Sequence, residues 1–173
     1  LKKWETSVGH PCRLVATTAV YDPAAAFMGY ARYKGETWIF SSPSPAAGDR
    51  LADLLKKQAI TDKVIATQIV PSPDSALPVV VEARKALGNN LDYVSLESYI
   101  VGKLFLTIMQ AIEGPLTREN FLKTARRQPY DIGGVKVDFT TDNQGSDFVL
   151  LTLLQGNGFA VIEPRALENV IAK

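Results

Sequence analysis

The sequence has little of what enzymes and metalloproteins use for chemistry. Among its 173 residues there is one cysteine, Cys12, and one histidine, His10. A single cysteine cannot form an internal disulfide or a cysteine-based metal site, and a single histidine makes a zinc site improbable. A free cysteine usually behaves as a small buried hydrophobe. We therefore interpret the pair as a loop histidine beside a packed cysteine.

The sequence also lacks an excess of charge and long apolar runs. Its net charge is +1, so it lacks the excess of basic residues that is typical of nucleic-acid-binding proteins. No apolar run is long enough to span a bilayer, and no signal-peptide pattern opens the chain. The chain begins with Leu1-Lys2-Lys3-Trp4 instead of Met. That start resembles the middle of a helix, so we expect a fragment or a processed product.

Nucleotide, calcium and acid–base motifs are missing as well. No GxGxxG or GxxxxGK[ST] is present, and Gly133-Gly134 predicts a turn before a strand. Residues 142–147, "DNQGSD", lack the closing glutamate of a calcium loop and predict a hairpin-type loop. Carboxylates such as Glu97 and Asp138 are scattered along the chain. We predict no catalytic residue, no metal and no cofactor.

The first seventy residues alternate between strand and helix patterns. Apolar, β-branched runs predict strands at 13–20, 37–41 and 63–70. Asp22 and Pro23 predict the cap and first position of a helix that ends near Gly35, and residues 49–57 predict a second helix. This alternation is typical of βαβ units in a parallel sheet, so the predicted fold class is α/β.

After Pro71-Ser72-Pro73 the pattern is mostly helical, and then returns to strands. Helices are predicted at 76–87 and 95–112, the second apolar on most sides and therefore buried, and Thr117 predicts the cap of a third. Strands at 134–139 and 147–155 flank the turn-rich loop and predict a C-terminal hairpin region. A short apolar run follows them, and a final helix is predicted at 166–172.

Polar side chains follow the first two predicted strands where a small-molecule site would lie. Tyr21 and Asp22 follow the first strand, and Ser41, Ser42 and Ser44 follow the second. Ligands of open parallel sheets bind at the carboxyl ends of the strands, and an apolar cleft with a few polar groups suits a small solute. The alternative is that Asp22 only caps its helix and the serines only shape a loop.

The order of five segments resembles a known family. The segments are "RLVATTAVYDPAAAFMGYARYKG", "WIFSSPSPAAGDRLADLL", "KVIATQIVPSPDSALPVVVEARKAL", "SLESYIVGKLF" and "YDIGGVKVDFTTDNQGSDFVLLTLL". Together they are similar to the C-terminal half of type I periplasmic solute-binding proteins of ABC transporters, in the branched-chain amino acid (Leu/Ile/Val)-binding type. The motifs "QIVPSP", "ESY" and "YDIGG" carry the resemblance, and their common order is more specific than any one of them.

The resemblance implies two α/β lobes joined by crossover segments, with a ligand cleft between them. It assigns residues 1–70 to part of the second lobe, 71–134 to a crossover and helices returning to the first lobe, and 135–173 to the C-terminal strands and helix. The chain is then an incomplete two-lobe fold without its N-terminal half. Its expected partners are a small-molecule ligand, a membrane permease, and either the missing half or a second copy of the chain, with no nucleic acid.

The resemblance also implies roles for the candidate residues. Tyr21 takes the place of a tyrosine that closes over the ligand, and Ser41, Ser42 and Ser44 lie where the family often has an acidic residue for an ammonium group. An unpaired buried ammonium is costly, so the serines favour an aliphatic or aromatic carboxylic acid over an α-amino acid.

The implied function is the capture of a small amino acid or a related carboxylic acid between the two lobes, in the periplasm or elsewhere outside the cytoplasm, for an ABC importer. Two alternatives remain: a ligand-sensing domain of a receptor, and a flavodoxin-like α/β enzyme. For the enzyme, Asp22 is the only carboxylate that we identify at the strand ends.

Overall fold

A computed structural model describes residues 1–44, 48–156 and 158–171. The chain forms two compact units, one made of Leu1–Ile69 with Leu150–Lys173 and the other of Val70–Val149. The predicted end of the last helix, at Ala172, lies outside the described residues. Within them, no helix is long and apolar enough to cross a membrane.

The first unit is built on a sheet of order β1-β2-β3-β6-β7. Its strands are β1 (Leu14–Ala16), β2 (Ile39–Ser42), β3 (Val64–Gln68), β6 (Leu150–Gln155) and β7 (Gly158–Val161), and its helices are α1 (Lys2–Val8), α2 (Tyr21–Tyr33), α3 (Asp49–Lys57) and α7 (Pro164–Ile171). The pairs β1–β2 and β2–β3 are parallel, whereas β6 runs antiparallel to both β3 and β7. The predicted α/β fold with parallel βαβ units is therefore confirmed.

Two amphipathic helices form the core of this unit with one face of the sheet. Leu51 and Leu55 of α3 are fully buried, while Lys56 and Lys57 are exposed, and α3 has the predicted bounds. Small buried alanines on α2 allow close packing, and a Cβ atom at Gly29 would overlap the Gln58 side chain. This packing places the N-terminal ends of both helices beside the carboxyl ends of the parallel strands.

The start of α2 differs from the prediction. The first strand is shorter than expected, although the backbone N–H of Thr17 still donates to the Ser41 carbonyl, 2.8 Å away. The helix begins at Tyr21, and its N-cap is Val20, which makes no side-chain capping bond. Asp22 therefore lies inside the first turn, and the prediction that it caps the helix is wrong.

The second unit contains three helices and a small hairpin among the described residues. The helices are α4 (Pro78–Leu87), α5 (Tyr93–Gln110) and α6 (Arg118–Ala125), with a 3₁₀ turn at Gly88–Asn90, and the hairpin pairs β4 (Tyr130–Asp131) with β5 (Lys136–Val137). The Thr117 hydroxyl accepts a bond from the Asn120 N–H, which confirms the predicted cap.

Two predictions for this half of the chain are wrong. The strands expected to flank "DNQGSD" lie in different sheets, because the Gly133-Gly134 turn folds β5 onto β4, while β6 pairs with β3 and β7. Helix α5 is not buried on most sides. Its buried residues are Leu96, Ile100 and Ile108, whereas Val101, Phe105 and Leu106 are about half exposed.

Replacing Asp92 by alanine should destabilise the second unit by about 1 kcal/mol. Asp92 and Ser95 form a reciprocal capping box, with the Ser95 N–H 2.7 Å from Asp92 Oδ1 and the Asp92 N–H 2.8 Å from Ser95 Oγ. Denaturant unfolding would measure the loss. Asp92→Asn keeps an oxygen acceptor and should be nearly neutral; equal losses in both variants would contradict the capping role.

Candidate functional site

The candidate site lies at the carboxyl edge of the sheet in the first unit. Strands β1, β2 and β3 are parallel and so end at the same edge. Tyr21 follows β1, Ser42 is the last residue of β2, Ser44 lies two positions further, and Gln68 ends β3. The structure thus brings most of the predicted residues to one edge, together with Gln68, which the sequence did not suggest.

Tyr21 has an unusual backbone conformation. Its φ is +41°, in the left-handed region that non-glycine residues rarely adopt. Such a conformation costs on the order of 1 kcal/mol and occurs often at functional sites. Its half-buried side chain packs against the core, and the guanidinium carbon of Arg50 lies 4.6 Å from the centre of its ring.

Asp22 is the ion-pair partner of Arg50. Asp22 Oδ2 lies 3.1 Å from Arg50 Nη2, and both side chains are 65% exposed. An exposed pair of this kind contributes at most about 1 kcal/mol of stability. The two charges are therefore accessible to other partners, and Arg50 is a residue of the candidate site that the sequence analysis did not single out.

Ser41 is separated from the other two serines by the alternation of the strand. The buried Phe40 belongs to the core beneath α2 and α3, so Ser42 shares that face and Ser41 lies on the opposite one. The Ser41 carbonyl accepts bonds from the Thr17 N–H and Oγ1, at 2.8 and 3.2 Å. Its backbone thus joins the ends of β1 and β2.

Ser42, Ser44 and Gln68 are buried polar residues on the helix-covered face of the sheet. Ser44 Oγ donates to Gln68 Oε1 over 3.3 Å. Ser42 Oγ and Gln68 Nε2 have no hydrogen-bond partner among the described residues, although both residues are almost completely buried. An unpaired buried polar atom costs about 1–3 kcal/mol, so these two atoms, at the ends of the neighbouring strands β2 and β3, make this edge the candidate site of the unit.

A concave region lies in the other unit. It is a pocket of about 450 Å³ bounded by Leu77, Lys136 and the turn-rich loop up to Phe148. The side chain and backbone N–H of Thr140 both donate to Asp138, and these bonds lower the pKa of its carboxyl group. Across the residues that the structure describes, no group of three or more His, Cys, Asp or Glu could hold a metal ion. Bonds within the loop engage Asp138, Asp142, Ser146 and Asp147.

No family model and no curated protein matches the sequence, but solved structures do. A possible leucine/isoleucine/valine-binding protein from Rhodopirellula baltica matches with a TM-score of 0.76 and 27% identity, over 87% of this chain and 42% of that one. A substrate-binding periplasmic protein from Ralstonia solanacearum matches with a TM-score of 0.74 and 25% identity, over 87% and 45% of the two chains.

The chain has the fold of type I periplasmic solute-binding proteins of ABC transporters. The predicted resemblance, including the branched-chain amino acid type, is thereby confirmed. A fatty acid ABC transporter substrate-binding protein from Thermomonospora curvata shares this fold at 18% identity, with a TM-score of 0.72, over 93% of this chain and 44% of that one.

The chain spans less than half the length of the solute-binding proteins that it matches, in agreement with the predicted C-terminal half. These neighbours are solute-binding proteins rather than enzymes.

Proposed function

We propose that the chain is the solute-binding component of an ABC importer, or the C-terminal half of one, and that it acts outside the cytoplasm. Its ligand is a small amino acid or a related carboxylic acid. In this proposal the ligand lies beside Tyr21, Asp22, Ser42 and Ser44, and Ser41 holds the strand ends in place. The fold shared with solute-binding proteins carries the proposal, because those proteins are named for amino acids and fatty acids.

The candidate edge supports this function physically. Solute capture needs a shaped surface with a few fixed polar groups and no reacting residue. The ring of Tyr21 is such a group, since it packs against the core, and the buried side chains of Ser42 and Gln68 lie at the ends of the neighbouring strands. In the proposed mechanism the ligand bridges this edge and a second lobe, shifts the protein to a closed state, and the closed form delivers it to a permease.

The proposal predicts where a ligand changes the spectrum of the protein. We expect L-leucine or 4-methylpentanoate, which share one carbon skeleton, to shift the backbone amide signals of Tyr21, Ser42, Ser44 and Gln68 in a ¹⁵N–¹H titration. Binding should be weak, because one edge supplies only part of the surface that encloses a ligand. Tyr21→Ala should reduce the shifts by removing the ring.

Tyr33→Ala is the matched control, since Tyr33 lies at the other end of α2 and is 82% exposed. It should leave the titration unchanged. Shifts confined to the pocket between Leu77 and Phe148 would move the site to the second unit. The absence of any shift up to the solubility limit of both acids would refute solute binding at this edge.

A further inference from the structure

Within the described residues, the guanidinium group of Arg50 at the carboxyl edge makes a side-chain hydrogen bond only to Asp22. One ring, that of Tyr21, lies 4.6 Å from its carbon, and one carboxylate, that of Asp22, lies 3.1 Å from Nη2. A guanidinium carries five N–H donors and binds carboxylates in a planar, two-pronged manner. Since the Arg50 side chain is 65% exposed, it can take a second acceptor without leaving the ring of Tyr21.

The neutral side chains at the same edge also offer donors. Gln68 Oε1 accepts a bond from Ser44 Oγ, and its NH₂ group has no partner in the part of the chain that the structure describes. The Ser42 hydroxyl has no partner among the described residues and can donate as well. Both atoms are buried, so a ligand at this edge contacts the exposed donors of Arg50 and not these groups directly. An ammonium group would add a further donor, with Asp22 as its one carboxylate among the residues of the candidate site.

On the basis of the proposed function, we infer that Arg50 selects the charge of the ligand: the carboxyl edge takes a carboxylate that carries no ammonium group. Asp22 is the internal competitor for Arg50. The ligand carboxylate replaces or joins Asp22 on the guanidinium, and the Tyr21 ring keeps the guanidinium in place through the cation–π contact.

Four molecules with the carbon skeleton of leucine test the carboxylate and the ammonium group of the ligand independently. They are 4-methylpentanoate, 4-methylpentanamide, L-leucine and L-leucinamide. The Kd of each is measured by ¹⁵N–¹H titration on the wild-type chain, on Arg50→Gln and on Asp22→Asn. Lys57→Gln removes one positive charge from the opposite end of the same helix and is the matched control for long-range electrostatics.

We expect 4-methylpentanoate to bind most tightly. Arg50→Gln should raise the Kd of 4-methylpentanoate about five- to tenfold, because an ion pair becomes a neutral contact. It should leave the Kd of 4-methylpentanamide unchanged. Asp22→Asn should strengthen 4-methylpentanoate about two- to threefold, because a competing anion is removed. The opposite signs of the two variants distinguish charge selection from a structural role, which would weaken binding in both.

Three results would overturn the inference. In the first, L-leucine or L-leucinamide binds more tightly than 4-methylpentanoate, and Asp22→Asn weakens the binding of that ammonium-bearing ligand. The edge then prefers an ammonium group, and only the charge assignment fails. In the second, Arg50→Gln weakens the binding of 4-methylpentanoate and 4-methylpentanamide equally, or Lys57→Gln weakens binding as much as Arg50→Gln does. Arg50 then does not select the charge of the ligand, although the protein still binds the solute. If none of the four binds, the proposed function fails and the inference fails with it.

Discussion

Gly133→Ala is expected to destabilise the second unit by about 2–4 kcal/mol. The φ of Gly133 is +62°, and a Cβ atom built there would lie 2.8 Å from the backbone nitrogen of Val79. That nitrogen belongs to the first turn of α4 and donates to the Gly133 carbonyl over 3.1 Å. Because the obstacle is main chain and not a flexible side chain, the clash can be relieved only by moving the hairpin turn away from α4.

Gly114→Ala separates this clash from simple backbone strain. Gly114 has a φ of +94°, and its nearest neighbour would be Asn120 Nδ2 at 3.9 Å, which is ordinary contact. We expect it to cost about 1 kcal/mol from strain alone. Denaturant unfolding of both variants, followed by circular dichroism, gives the comparison. If the two losses are equal, the close approach of the hairpin to α4 contributes nothing.

Phe40→Ala is expected to destabilise the first unit by about 3–5 kcal/mol. Phe40 is fully buried in β2, an interior strand of the sheet, and its ring makes edge contacts with Phe27 and Trp38 at centroid distances of 5.9 and 6.4 Å. The guanidinium of Arg32 lies 5.0 Å from the same ring. Removing the ring leaves a cavity between the sheet and its two covering helices, and a parallel core strand cannot move to fill it.

Two controls bound this effect. Phe40→Leu keeps most of the volume and should cost less than about 1.5 kcal/mol. Tyr33→Ala removes a ring that is 82% exposed and should change stability by less than about 0.5 kcal/mol. Thermal and denaturant unfolding, monitored by tryptophan fluorescence from Trp38, would measure all three. A loss for Phe40→Ala no larger than that for Tyr33→Ala would show that this face is not the core of the unit.

The elements that the sequence predicted well are those decided by local patterns. Helix α3 has its predicted bounds because its leucines and charges recur at helical spacing. Helix α5 was located to within two residues by its length, but its exposed residues Val101, Phe105 and Leu106 could not be foreseen, since periodicity does not say what a face packs against. The strand β4, only two residues long, has no periodicity, and only the turn at Gly133-Gly134 hinted at it.

The candidate site was predictable only in part, for a similar reason. Tyr21, Ser42 and Ser44 follow strands, and parallel strands must end at one edge, so topology alone brings them together. Gln68 bonds to Ser44, and Arg50 to Asp22, across 24 and 28 positions of sequence. No short-range pattern reports such contacts. The sequence does contain one signal for Gln68, because a long amide side chain is unusual at the end of a mostly apolar strand. It contains no signal for Arg50, which looks like any other charged residue of its helix.

The pairing of β3 with β6 has a consequence for the order in which the protein acquires its structure. The last residue of β3, Gln68, lies opposite the first of β6, Leu150, so the whole of the second unit is a loop whose two ends meet in one sheet. Closing so long a loop carries an entropic penalty, and such non-local pairing slows folding. The second unit is continuous in sequence and needs no such closure. On the ribosome it can fold first, while β1, β2 and β3 remain without β6 and β7 until the residues after Val149 have been synthesised.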